Sequence, residues 1–247
     1  MIDTHAHLDA CADPPEELLA RAREAGVRRI LAVGSGIASS RAAVALAEAH
    51  DDVYAVAGIH PHQAGDDAER LDELRELLAH NRVVAIGETG LDFFRDYAPH
   101  DRQLALFEEH LAVAAELGKP VIVHNRSADD ATASALAAHQ GTVVLHCFSS
   151  PGLLSTALAR GYYVSFAGNV TFPKAPELRE AAAQIPADRI LTETDCPYLA
   201  PQPHRGRPNE PAFVAHTLAT LAEVRAVDVD ELEAQIDANA AAAFSLA

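Results

Sequence analysis

Short apolar runs alternate with longer segments of helical period from one end of the chain to the other. The β-rich runs fall at 2–8, 28–35, 53–58, 83–88, 120–124, 142–146, 162–166 and 190–194. Between them lie Ala-, Leu-, Glu- and Arg-rich stretches predicted as helices over 14–25, 39–50, 68–80, 99–117, 128–139, 151–160 and 175–184, several opened by Pro or a capping residue. Gly26, Gly118 and Gly161 stand where a helix should end before the next strand. Strand followed by helix, repeated, predicts a parallel sheet. Eight repeats favour closure into a (β/α)8 TIM barrel over an open doubly wound sheet, and no GxGxxG follows the first strand to support a dinucleotide fold. The tail over 211–247 reads as further helix packed outside the barrel. No Gly/Ser/Pro-rich linker interrupts the rhythm, so residues 1–247 are expected to form a single α/β domain with additional C-terminal helices.

Composition narrows the class. Hydrophobic residues make up 49% and charged residues 22%, an ordinary globular balance that excludes disorder. No apolar run approaches the ~20 residues needed to span a bilayer, so no membrane partner is expected. The opening Met1-Ile2-Asp3-Thr4-His5 leaves no room for a basic and then apolar leader, which gives a cytoplasmic expectation. Cys11, Cys147 and Cys196 are too few and too widely spaced for a disulfide framework or a CxxC zinc site. Acidic residues exceed basic ones, 36 against 19, for a formal charge of −17. Such a surface repels polyanions as a whole, so any nucleic acid must be held locally.

In a barrel of this kind the active site lies at the C-terminal ends of the strands, and most of those ends carry chemistry-capable side chains. The first ends in His5-Ala6-His7, the third leads into His60-Pro61-His62, and the fourth ends in Glu88. The fifth ends in His124, the sixth in His146 and the eighth in Glu193-Thr194-Asp195. Side chains two apart on a strand share a face, so His5 with His7, and Glu193 with Asp195, are expected to point together into the mouth. Buried imidazoles and carboxylates converging without a partner are costly, whereas a dication offsets that cost by coordinating them. His50, His80, His100, His110, His139 and His216 fall in or beside helices and are expected to be solvated or capping residues. The charge run over 69–76 reads as a solvent face. Cys147 and Cys196, adjacent to candidate ligands, are expected to point away from the lumen.

The segments IDTHAHLD at the start, GIHPH at 58–62, AIGETGLDF at 85–93, PVIVHNR at 120–126, LHCFSS at 145–150, LTETDCPYLAP at 191–201 and HRGRPNEP at 204–211 resemble, in order, those of the TatD family of metal-dependent deoxyribonucleases in the amidohydrolase superfamily. The resemblance implies two divalent cations, Mg, Mn or Zn, with His5, His7, Glu88 and Asp195 around one and Glu88, His124 and His146 around the other. Glu88 would bridge them, where many superfamily relatives use a modified lysine. His60, His62 and Glu193 match further polar positions, where a third ion or the substrate would bind. Ser150, Asn125 and Cys196 depart from the Gly, Ser and Ser common in the family at those positions, and none of these changes removes a ligand.

The implied chemistry is hydrolysis of DNA phosphodiesters by a hydroxide held between the ions, with Asp195 as ligand and proton acceptor. Action from the 3′ end on single strands is expected, because a recessed mouth suits a strand terminus. Arg126, directly after His124, is the first candidate for the phosphate, followed by Arg205 and Arg207 on the loop after the eighth strand. The same ions would also serve an amide, ester, lactone or deacylase substrate, which is the rival enzyme class. A metal-binding scaffold is a third reading, disfavoured because structural zinc sites are usually closed. No obligate protein partner is indicated, and a monomer is the default.

Overall fold

The computed structural model describes residues 1–65, 70–95 and 97–246. Eight parallel strands, β1 (Ile2–Ala6), β2 (Arg29–Val33), β3 (Val53–Ala57), β4 (Val83–Asp92), β5 (Val121–Arg126), β6 (Val143–Leu145), β7 (Tyr163–Phe166) and β8 (Ile190–Thr192), pair in sequence order. Their Val, Ile, Leu and Ala side chains are buried in almost unbroken runs, because one face fills the lumen and the other lies under helices. The circle closes at the mouth. His7 N donates to the Cys196 carbonyl at 2.9 Å and Asp195 N to the His5 carbonyl at 2.9 Å. The fold is the expected (β/α)8 barrel.

Helices α1 (Pro15–Glu24), α2 (Ile37–Ala49), α3 (Leu71–Leu78), α4 (His100–Leu117), α5 (Asp129–Leu136), α6 (Leu154–Arg160) and α7 (Pro176–Gln184) alternate with the strands. The predicted start of the third helix, at 68 and 69, lies outside the described residues. Gly118 (φ +64°) and Gly161 (φ +65°) end α4 and α6 in the left-handed conformation that spares glycine a Cβ clash. The tail forms α8 (Val214–Arg225) and α9 (Val229–Phe244). Asp228 caps α9 by accepting from the Asp230 and Glu231 amides. Asn239 on α9 donates to the Ala187 and Ile190 carbonyls at 2.8 Å each, and the N-terminal ammonium of Met1 reaches Glu233 at 2.7 Å. These contacts fasten α9 across the outside of β8 and β1. Among the described residues no helix is long and apolar enough to cross a membrane.

Two details of the strands position the site. β4 runs on to Asp92, beyond the predicted end at Glu88. Gly87 and Gly90 read locally as a strand terminus, but pairing with β5 continues after a register shift, from Ile86 opposite Val121 to Thr89 opposite Val123. The shift inserts one extra residue into β4, a bulge that re-aims the chain at Glu88. The Glu88 amide then bonds the Gly34 carbonyl at 3.1 Å.

At the other seam, Asp3 is fully buried and ties β1 to the segment after β8. Its Oδ1 accepts from the Thr194 and His5 amides at 2.9 and 3.2 Å, and its Oδ2 accepts from the Thr194 hydroxyl at 2.6 Å. Burial raises the Asp3 pKa to about 7 against those bonds. β1 and β8 are shorter than expected, ending at Ala6 and Thr192, so His7 and Asp195 sit on the turns just beyond them.

Candidate metal centre

Glu88 occupies the middle of the mouth and is 3% exposed. Its Oε2 lies 3.2 Å from His7 Nε2 and 3.4 Å from His5 Nε2. Its Oε1 lies 2.7 Å from His124 Nδ1, 2.7 Å from His146 Nε2 and 3.4 Å from His60 Nε2. Imidazoles from β1, the β3 loop, β5 and the end of β6 therefore meet on one carboxylate, and they divide between its two oxygens. They also face one another: His5 Nε2 is 3.2 Å from His7 Nε2, and His124 Nδ1 is 3.3 Å from His146 Nε2. Asp195, at φ +56°, brings its Oδ1 to 3.7 Å from His7 Nε2. Three sets of donor atoms each lie within 4.8 Å of one another: His5, His7 and Glu88; His5, His146 and Asp195; His60, Glu88 and His124. Buried nitrogen and oxygen lone pairs converging in this way fit first-row divalent cations.

The outer contacts decide which ring atom each histidine presents. His7 Nδ1 donates to the Val33 carbonyl at 3.0 Å, which leaves Nε2 for the centre. His146 Nδ1 lies 3.2 Å from Glu193 Oε1, which also accepts the Cys147 amide at 2.7 Å. His60 differs: its Nδ1 accepts the His62 amide at 3.1 Å, so its proton is on Nε2 and it faces Glu88 as a donor. His62 Nε2 donates to Asp92 Oδ2 at 2.7 Å. Asp92 is itself anchored, its Oδ1 accepting the Phe94 and Arg95 amides and its backbone clamped by the Gln103 carboxamide.

Burial and neighbouring charges shift the titration of the converging groups in opposite directions. Burial alone would raise Glu88, but His146 and His60 hold its pKa well below the ordinary range. Burial opposes protonation of His7 and His146, and Glu88 overrides it, lifting His7 to about 9 and His146 well above its usual value. Burial pushes His5 and His60 down to about 4 each, so both are neutral near pH 7. Burial raises Asp195 to about 6 against the pull of His146 and His7.

A cavity of about 780 Å³ opens above this cluster. A family model described as TatD related DNase matches residues 2–245. The chain belongs to the TatD family. It is a metal-dependent hydrolase of that family, 40% identical to a metal-dependent hydrolase TatD of Mycobacterium tuberculosis over 100% of this chain and 98% of the relative. It is also 40% identical to the 3′-5′ ssDNA/RNA exonuclease TatD of Erwinia amylovora, over 94% of this chain and 93% of the relative. The crystal structure of YjjV, a TatD homolog from Escherichia coli, superposes with a TM-score of 0.94 at 33% identity, covering 100% of this chain and 98% of that one.

Within this TatD-family mouth the sequence-predicted residues are distributed unequally. His5, His7, Glu88, His124, His146 and Asp195 converge, with His60 and His62 beside them. Glu193 is fully buried behind His146 rather than facing the cavity. Arg126 is in the cavity wall, its guanidinium 4.0 Å above the Phe94 ring. Arg205 stacks on Phe172 at 4.2 Å, and Arg205 and Arg207 lie outside the cavity lining.

Three expectations from local pattern are corrected. Cys147 (φ +44°) lines the cavity, because its positive φ breaks strand alternation. His110 is neither solvated nor capping: it is fully buried, Nδ1 donating to the Leu106 carbonyl at 2.7 Å and Nε2 accepting the Ile59 amide at 3.2 Å. His139 is likewise buried. Sequence reasoning also passed over Asp3, Asp92, Arg95, Tyr97 and Tyr198. The GLDFFRDY stretch holds three of these, but Gly87 and Gly90 read as the end of a strand.

Proposed function

We propose that residues 1–247 act as one catalytic domain, a divalent-metal-dependent deoxyribonuclease that removes nucleotides from single-stranded DNA ends in the 3′ to 5′ direction. The observation that carries this reading is the division of ligands on Glu88: His5 and His7 face Oε2, while His124 and His146 face Oε1. Residues so arranged would hold two cations, His5, His7, Glu88 and Asp195 one and Glu88, His124 and His146 the other. When bound, divalent cations would supply polarisation of the phosphoryl oxygen, activation of water and stabilisation of the leaving oxygen.

The side chains supply the rest. Asp195 Oδ1 takes the proton of the attacking water, a role suited to a carboxylate whose buried pKa of about 6 lies near working pH. His60 Nε2–H faces Glu88 Oε1 and helps hold that carboxylate in place. Arg126 and Arg95, both in the cavity wall, are the guanidinium donors available to the scissile phosphate. The similarity to the 3′-5′ ssDNA/RNA exonuclease of Erwinia amylovora supports the polarity and the strandedness. The formal charge of −17 confines nucleic-acid contact to the mouth and disfavours binding along a duplex.

The test uses 5′-labelled single-stranded and duplex oligonucleotides with Mg, Mn and Zn, beside acylated amide and lactone substrates. Stepwise shortening of the single strand from its 3′ end, abolished by chelator, is the expected outcome. Turnover of the acylated substrates with no nucleotide release under any metal would overturn the nuclease reading.

A further inference from the structure

Among the described residues the large, exposed apolar side chains include only three aromatic ones: Phe94 at 58%, Tyr97 at 66% and Tyr198 at 56%. Exposed apolar residues scattered singly need no explanation, but these three gather at one opening. Tyr97 and Tyr198 are in the wall of the mouth cavity, and Phe94 carries the Arg126 guanidinium over its ring.

The tyrosines stand at opposite ends of the histidine row. Tyr97 meets His62 edge to face, with ring centroids 4.7 Å apart and planes at 82°. Tyr198 meets His7 in the same way, at 6.3 Å and 72°. His7 belongs to the Oε2 side of Glu88, whereas His62 adjoins His60 and His124 on the Oε1 side. The rings therefore bracket the whole ligand set, and each leaves more than half of its surface open.

We propose that Tyr97 and Tyr198 are stacking platforms for the two unpaired bases on either side of the scissile phosphodiester, so that the enzyme grips a single-stranded nucleic acid by its bases as well as its phosphate. This inference rests on the nuclease reading. It supplies what the charge balance withholds. Among the described residues Arg95 and Arg126 are the only arginine or lysine side chains in the cavity wall of a strongly acidic chain, so guanidinium contacts to phosphate are few, whereas base stacking needs no charge and tolerates any sequence. It also gives strand selection a physical cause, because a base inside a duplex already has both faces covered and offers none to a tyrosine.

The experiment measures fluorescence anisotropy of a 5′-labelled hexathymidylate with hydrolysis-resistant phosphorothioate linkages, on the protein as purified. The comparison probe has the same backbone and abasic residues throughout. The wild type should bind the abasic probe at least about tenfold more weakly, and Tyr97→Ala and Tyr198→Ala should each weaken hexathymidylate binding about five- to a hundredfold, the range expected for loss of one stacked base. Both variants should bind the abasic probe like the wild type, and Tyr97→Phe and Tyr198→Phe should restore hexathymidylate binding. Thermal melting confirms that the exposed substitutions leave the fold intact. Equal wild-type affinity for the two probes, no binding of either, or Ala variants that lose both probes alike would overturn the platforms. Failure of the nuclease reading appears separately, as absence of nucleotide release from unmodified oligonucleotides, while the difference between probes still decides the stacking.

Discussion

Glu193 Oε1 lies 3.2 Å from His146 Nδ1, on the side of the ring away from the mouth, while His146 Nε2 points at Glu88 Oε1 at 2.7 Å. A buried carboxylate behind an imidazole fixes its tautomer and its orientation, and raises its basicity as a ligand. Glu193 thus acts through His146 as a positioning residue. Glu193→Gln keeps an acceptor for the Cys147 amide but removes the charge. It should lower affinity for the second cation about 10- to 100-fold, the usual cost of losing such a partner. Metal titration checks this, and wild-type affinity in the variant would refute the role.

Asp195 faces His7 and is poised near neutrality by burial. Asp195→Asn removes the proton acceptor but keeps an oxygen ligand. Its kcat should fall about 10²- to 10⁴-fold, the span typical of a lost general base. Elemental analysis should still find bound cations. A variant that remains active with metal bound would exclude the proton-accepting role.

Cation uptake should be linked to pH. Burial opposes but Glu88 secures the proton on His7, which stays to about pH 9, and burial keeps one on Asp195 to about pH 6. A cation using both residues must displace those protons, so affinity should rise from pH 6 toward 9, with protons released to the buffer. His5 is neutral above about pH 4 and contributes none. Stability follows the same groups. The raised pKa of His7 stabilises the metal-free chain below its ordinary value of 6.5, and that contribution is lost as pH rises through about 9. For Asp195 the charged form is the costly one, so the metal-free chain loses stability from pH 3.8 through about 6. Bound cations relieve both effects. The gap in melting temperature between loaded and metal-free protein should therefore widen from pH 6 to pH 9, and calorimetry showing a constant gap would be incompatible with these ligands.

His110 supports the loop that delivers His60 and His62, since its Nε2 is the acceptor for the Ile59 amide. Burial lowers its pKa to about 4, so it remains neutral and able to accept across the working range. His110→Leu fills the space but leaves that amide unpartnered, at a cost of about 1–3 kcal/mol. For a domain of this size each kcal/mol corresponds to about 2–4 °C in melting temperature. An undiminished melting temperature would mean that the amide finds another partner.

The barrel and the converging candidate residues at its mouth are legible in the sequence for local reasons. Strand and helix periods, helix-ending glycines and apolar runs are properties of neighbouring residues, and a parallel barrel places strand ends at one mouth whatever its details. Position brought out His5, His7, Glu88, His124, His146 and Asp195 together with His60, His62 and Glu193, and the family resemblance singled out the six as candidate ligands. The continuation of β4 to Asp92 could not, because the pairing that sustains it comes from β5, across a bulge whose glycines read as a terminus. His110 looked like one more helix histidine. Only the packing of α4 against the β3 end buries it and provides the Ile59 amide.

The sequence by itself determined the number and order of the strands and the residues brought to their tips, because these depend on periods a few residues long. Tertiary structure decided which oxygen of Glu88 each histidine faces, which ring nitrogen it presents, and that Glu193 stands behind His146. It also decided which arginines and aromatics rim the mouth: Arg95, Arg126, Tyr97 and Tyr198 are in its wall, Arg205 and Arg207 are not. Those relations join residues far apart in the chain, and no local period encodes the direction in which a side chain on a loop will point.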